Sequence, residues 1–349
     1  MLRRGQTQLP CSMEMMSTPR IEKGSDTDRV TITDVTLREF GQNVPASLLH
    51  IFTPAIRVSI ASRLMDLGFP SIEVLSCIHP GVAPAMNREA LRTVSVALGR
   101  ADRAAIITLV PNSAGYKSFC SLGLGPDGFN HTMGVFFSAV EAHNRANLGR
   151  SIQETVAEYT TILKDAAHRH IRAVAYISAA FGYMDPEKGT LVRPDPDDIS
   201  RHMDLLFDLG ARTVTLSDLQ GVAGRDGTAR LLETILEMRK GRDLDRIGYH
   251  PHHVVGDQAL VNSGAAFDLG VRRFDASLGG TGGCVTGAPG NQPTEGLIHF
   301  FETWGIETGI PEKEVFALAE MIRMELYDRI PISRSLPLKK GRGEEKGRP

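Results

Sequence analysis

The chain alternates between short, nearly continuous apolar runs and longer stretches in which apolar residues recur every three or four positions. The short runs are 30–36 (VTITDVT), 71–76 (SIEVLS), 104–110 (AAIITLV), 132–138 (TMGVFFS), 173–178 (AVAYIS), 213–219 (TVTLSDL), 246–252 (RIGYHPH) and 272–278 (RRFDASL). Their content of Val, Ile, Leu, Phe and Ala predicts strands buried on both faces, as in a parallel sheet. Helical spacing fills the gaps, most plainly at 56–67, 152–167, 197–209 and 258–269. The strings DLGF at 66–69, DLGA at 208–211 and DLGV at 268–271 each read as a helix end, a glycine stop and the next strand.

Successive strand starts lie 26 to 41 residues apart, which leaves room for one crossover helix each. Eight such units predict an α/β chain folded as a closed (β/α)8 TIM barrel with a short C-terminal helical extension. An open doubly wound sheet is the alternative, and the absence of a G-x-G-x-x-G after the first strand speaks against it. The expected organisation is a disordered N-terminal extension over 1–28, a catalytic barrel with its C-terminal helix over 29–330, and a disordered charged tail over 331–349. The first segment reads as targeting, as disorder or as a start placed too early, since Met13, Met15 and Met16 also qualify.

Composition narrows the partners. With 39 Lys and Arg against 41 Asp and Glu, the formal net charge is −2, which argues against a general nucleic-acid or membrane-surface binder. No apolar run approaches the ~18–20 residues that span a bilayer. Cys11, Cys77, Cys120 and Cys284 form no C-x-x-C pair and are expected as reduced thiols in a cytoplasmic protein. A homo-oligomer is expected, with the helix after residue 311 offered to its interface.

The polar residues at the predicted strand ends carry the chemistry. Barrels of this kind keep their sites at the C-terminal ends of the strands. Strand one runs into Arg38 and Glu39, strand two carries Glu73, and strand six carries Asp218. Strand seven carries His250 and His252, and strand eight leads through a glycine-rich loop to Cys284 and Asn291. An apolar barrel interior has no use for such a set, because a buried unpaired charge is costly. Each residue also has a plainer reading: Arg38 and Glu39 as a surface ion pair, Asp218 as the cap of the next helix, Cys284 as a small buried hydrophobe. The H-x-H pair is the more specific signal, since residues two apart on a strand share a face and their imidazoles can meet at one ion. Two imidazoles with a carboxylate and an amide oxygen suit Mg²⁺ or Mn²⁺, with Zn²⁺ or Co²⁺ as alternatives.

In order and spacing, Leu37-Arg38-Glu39 with Gly41-Gln42-Asn43, Ile72-Glu73, Leu216-Ser217-Asp218, His250-Pro251-His252, and Gly282-Gly283-Cys284 to Gly290-Asn291 resemble a known group. This is the metal-dependent TIM-barrel lyases and synthases that include 3-hydroxy-3-methylglutaryl-CoA lyase, isopropylmalate synthase and related pyruvate aldolases. The likeness covers about residues 30–310, and the Gly-Gly-Cys loop followed by Gly-Asn and Thr294-Glu295 is similar to the lyase branch. Asp34-Val35-Thr36-Leu37-Arg38 is closer to the synthase and aldolase opening. Two departures stand out. The group carries Asp where this chain has Glu39, so the longer side chain either moves the metal or leaves that position to water. The stretch from Cys284 to Asn291 is also shorter than in the lyase.

The resemblance implies cleavage of an acyl-CoA such as hydroxymethylglutaryl-CoA to acetyl-CoA and acetoacetate. It implies a divalent metal on Glu39, His250, His252 and Asn291, with His250 or Asp218 as the base. Arg38 then faces the thioester enolate, Glu73 holds Arg38 or a metal-bound water, and Cys284 or a water beside it returns the proton. A condensing acyltransferase joining acetyl-CoA to a 2-oxo acid, or a non-catalytic barrel, are the competing expectations.

Overall fold

The computed structural model describes residues 29–253, 256–282 and 290–330. The expected terminal segments and Cys284 lie outside the described residues.

Ten strands are present among them: β1 (Thr31–Asp34), β2 (Ser71–Ser76), β3 (Ala105–Leu109), β4 (Thr132–Ser138), β5 (Ala173–Ser178), β6 (Tyr183–Asp185), β7 (Thr190–Val192), β8 (Ala211–Asp218), β9 (Ile247–Pro251) and β10 (Arg273–Ala276). Eight of them close into a parallel barrel in the order β1-β10-β9-β8-β5-β4-β3-β2. This is the expected (β/α)8 architecture. Every predicted strand lies within one residue or a few of its observed counterpart. The DLG glycines at 68, 210 and 270 all have φ near +90°, a value that suits glycine at a helix stop.

Two local differences have physical causes. The first strand ends at Asp34 rather than Thr36, because Asp34 Oδ1 accepts the Thr36 N–H at 3.1 Å and Oδ2 accepts the Thr36 hydroxyl at 3.0 Å. That local bonding offers the backbone an alternative to the strand ladder. The chain therefore enters helix α1 (Thr36–Asn43) early, and Arg38 and Glu39 stand on a helical turn rather than a strand end. The antiparallel pair β6 and β7 was not expected. Its strands are three residues each, too short for an apolar pattern to show, and Gln220 steadies it by accepting the Met184 N–H at 2.6 Å.

The core has two main parts and a small third cluster of Val140, Ala179 and Tyr183. The larger packs the outward faces of the strands against the surrounding helices. The smaller fills the barrel interior with Ile107, Leu109 and Val174 against Phe136 and Tyr176. Gly134 on β4 makes room for this interior, since a Cβ there would sit 3.1 Å from Ile107. After the last barrel strand, helices α10 (Thr294–Thr303) and α11 (Glu312–Ile322) lead into a π-helical turn at Arg323–Tyr327. This matches the expected C-terminal extension. Among the described residues Cys77 and Cys120 are free thiols, and no helix is long and apolar enough to cross a membrane.

Candidate active site

A cavity of about 350 Å³ opens at the C-terminal ends of the strands, where Tyr176 and Ser178 of β5, Ser217 of β8, and His250 line it together with Arg38 and Glu39. The i, i+2 pairs on its wall show that these side chains belong to the inward face. A larger concavity of about 730 Å³ lies beside it, against helix α8 (Arg225–Met238), and contains none of the expected site residues.

His250 and His252 meet as the spacing predicts: their Nε2 atoms are 3.1 Å apart and both residues are buried. Gly248, two residues earlier, leaves the space that Thr215 occupies, because a Cβ would approach Thr215 Cβ to 3.2 Å. Asn291 joins the pair through an isolated antiparallel bridge to His252. Its Nδ2 donates to the Thr281 carbonyl at 2.8 Å, which aims Oδ1 the other way, buried and without a hydrogen-bond partner among the described residues. A buried acceptor left open in this manner calls for a ligand. Glu39, the remaining expected ligand, lies near Asn291: a Cβ on Gly282 would sit 2.9 Å from Glu39 Oε2 and also against Asn291 Nδ2.

Among the described residues no three His, Cys, Asp or Glu side chains form a ready-made metal cluster. The reason is visible at Glu39, whose Oε1 is drawn into an ion pair with Arg38 Nη1. Arg38 is held from its other side by Glu73, with Nε and Nη2 both 2.6 Å from Oε2. Arg38, Glu39 and Glu73 are all buried, so the reading of Arg38 and Glu39 as a surface ion pair is corrected. Burial opposes charge on Arg38, but the two carboxylates outweigh it and keep the guanidinium firmly protonated. Burial also pushes Glu39 up, yet Arg38, then His252 and His250, hold it below the usual carboxylate range. For Glu73 burial prevails over Arg38 and its pKa is raised.

Asp218 stands apart. Ser217 points into the cavity, so the next side chain takes the opposite face of β8. Its oxygens accept the Val222 and Ala223 N–H groups at 2.9 and 3.1 Å. Burial raises its pKa to about 6 against those bonds. The carboxylate thus stabilises the loop into α8, close to the capping role its position allowed.

The HMGL-like family model matches residues 29–322. The chain belongs to the HMGL-like family. It is 30% identical over 325 residues to the (R)-citramalyl-CoA lyase of Chloroflexus aurantiacus, covering 87% of this chain and 93% of that protein. It is 29% identical over 311 residues to a hydroxymethylglutaryl-CoA lyase of Bacillus subtilis, covering 88% and 96%. The crystal structure of the Bacillus subtilis HMG-CoA lyase superposes with a TM-score of 0.72 at 28% identity, covering 89% of this chain and 96% of that one.

Two site residues of this HMGL-like barrel escaped the sequence reading. Asp275 on β10 places Oδ2 3.2 Å from His250 Nδ1. Burial lowers the His250 pKa, but Asp275 and then Glu39 outweigh it and the net shift is upward. A carboxylate inside an apolar strand was the signal that singled out Glu73, and it applies equally to Asp275 in RRFDASL. Tyr176, hydrogen-bonded to Glu73, looks in sequence like any aromatic residue of a buried strand.

Proposed function

We propose that this chain is a carbon–carbon lyase acting on the CoA thioester of a branched 3-hydroxy diacid, most simply hydroxymethylglutaryl-CoA. The products are acetyl-CoA and a 3-oxo acid, acetoacetate. The observation that carries the reading is the convergence of two imidazoles and the open Asn291 Oδ1 beside a guanidinium fixed between two carboxylates.

His250, His252 and Asn291, with Glu39 adjacent, are the residues that would hold a divalent ion, Mg²⁺ or Mn²⁺ before Zn²⁺ or Co²⁺ for a mixed nitrogen and oxygen set without thiolate. When bound, such an ion supplies Lewis acidity toward the substrate hydroxyl. Because Nδ1 of His250 faces Asp275, only Nε2 is open to the cavity, and one nitrogen cannot be ligand and base together. We assign it the ligand role. Asp218, the other expected base, faces away from the cavity and bonds the Val222 and Ala223 amides, so the hydroxyl proton passes to water in the cavity. The C–C bond breaks, its electron pair passes to the thioester, and the Arg38 guanidinium stabilises the enolate oxygen. Glu73 holds Arg38 in place for that role. Cys284, or a water beside it, protonates the enolate carbon; this assignment rests on the family resemblance.

The test is an assay of the purified, Mn²⁺-supplemented protein with hydroxymethylglutaryl-CoA and citramalyl-CoA, following acetyl-CoA release. Turnover of the first supports the proposal. Turnover of citramalyl-CoA alone moves the substrate to the shorter diacid. Acceptance of neither, with thiol release from acetyl-CoA and a 2-oxo acid, would establish the condensing reaction instead. Both the Chloroflexus and the Bacillus relatives are named as lyases, which favours the lyase reading.

A further inference from the structure

The π-helical turn at Arg323–Tyr327 has no part in the proposed chemistry, yet its last residue reaches the segment that feeds the site. The Tyr327 hydroxyl donates to the Leu278 carbonyl at 2.6 Å. Its ring lies against Gly279 so closely that a Cβ there would come within 2.7 Å of Cε2. The same ring meets Phe40, the neighbour of Glu39, with centroids 5.3 Å apart. A wide turn of this kind adds one residue to a helix and rotates every later side chain by about 100°. That rotation decides which side chain faces the barrel mouth.

We propose that Tyr327 is a positioning residue that fixes the path of Leu278–Gly282 and, through it, the spacing of Glu39 and Asn291. The segment is bonded at nearly every step. The Leu278 N–H donates to Thr36 Oγ1 at 2.7 Å, and the Gly279 N–H to Glu295 Oε2 at 3.1 Å. The Ser277 hydroxyl and Asn291 Nδ2 both donate to the Thr281 carbonyl, at 2.6 and 2.8 Å. Gly282 then packs so closely against both Glu39 and Asn291 that a Cβ there would meet each of them. Tyr327 touches both Leu278–Gly279 and the residue next to Glu39. It therefore couples the C-terminal extension to two of the residues proposed to hold the ion. The inference rests on the proposed metal role of Glu39 and Asn291.

The experiment compares wild type, Tyr327→Phe and Tyr327→Ala in the full chain. Mn²⁺ affinity is read from free-ion electron paramagnetic resonance. Amide hydrogen exchange of Leu278–Gly282 is followed in the metal-free protein, with thermal unfolding as a control. Tyr327→Ala is expected to weaken Mn²⁺ binding at least tenfold and to speed exchange of the segment. Tyr327→Phe keeps the ring, loses one hydrogen bond and should weaken binding by roughly fivefold or less. Unchanged affinity and unchanged exchange in Tyr327→Ala would overturn the proposal, as would a lowered melting temperature with affinity and exchange intact. If the wild type itself binds no Mn²⁺, the metal reading fails, while the exchange data still decide whether Tyr327 holds the segment.

Discussion

Replacing Asp275 by Ala probes how the barrel orients His250. Asp275 Oδ2 lies 3.2 Å from His250 Nδ1, and both residues are only 5% exposed. Removing the carboxylate leaves a buried imidazole nitrogen without its partner, a loss of about 1–3 kcal/mol. Carboxylates placed behind metal-binding histidines contribute roughly 10–100-fold in metal affinity, which converts to about 1.4–2.8 kcal/mol. The first figure is a loss of stability read in the melting control; the second is the loss of Mn²⁺ affinity expected for Asp275→Ala. Asp275→Asn keeps an oxygen in place without its charge. Charge-assisted bonds are about twice as strong as neutral ones, so roughly half the loss in free energy should remain. Asp275 also holds the His250 pKa up, and its removal lowers competition from protons. The affinity gap between wild type and Asp275→Ala should accordingly be widest at alkaline pH and narrow as pH falls. The assay is Mn²⁺ titration across pH, with melting of the metal-free proteins as a control for folding. Wild-type Mn²⁺ affinity in a folded Asp275→Ala protein at alkaline pH would refute the reasoning.

Three further outcomes are expected. Arg38→Met should retain Mn²⁺ binding and lose most turnover, about 10²–10³-fold for one oxyanion-stabilising group; near-normal turnover would remove the enolate role. Gly282→Ala, at φ +106° and with a Cβ forced to 2.9 Å from Glu39 Oε2, should be destabilised by about 1–2 kcal/mol from the backbone strain alone and should bind Mn²⁺ more weakly; unchanged melting and binding would contradict the geometry. Asp34 is fully buried and its pKa is pushed from 3.8 to about 7 by burial, against hydrogen bonds from Thr36 and Thr294. A folded state that keeps its proton longer than the unfolded chain loses stability as pH rises between those values, by up to ~4 kcal/mol in total. Urea unfolding should show wild-type stability falling relative to Asp34→Asn between about pH 4 and 7 and levelling off above, and a pH-independent difference would exclude this role.

The strand pattern made the barrel legible because parallel strands buried on both faces are locally conspicuous, and the DLG strings marked where helices stop. The His250 and His252 pair was legible for a similar reason: the two-residue period of a strand puts both rings on one face without help from the rest of the chain. Residue type also marked Arg38, Glu39 and Glu73, since charges beside buried strands need partners. Which partners they take was decided only by the fold. The register of β10 on β9 pairs Phe274 with Tyr249, so the next residues along, Asp275 and His250, come side by side. The turn at Asp34 moves Arg38 and Glu39 onto a helix, and the parity of β8 sends Asp218 out of the cavity. The π-helical turn brings Tyr327 to a loop 49 residues away in sequence. Periodicity is a property of neighbours along the chain and can be read from it. Register, parity at a strand end and the rotation after a wide turn depend on pairings between distant segments, and those exist only once the barrel has closed.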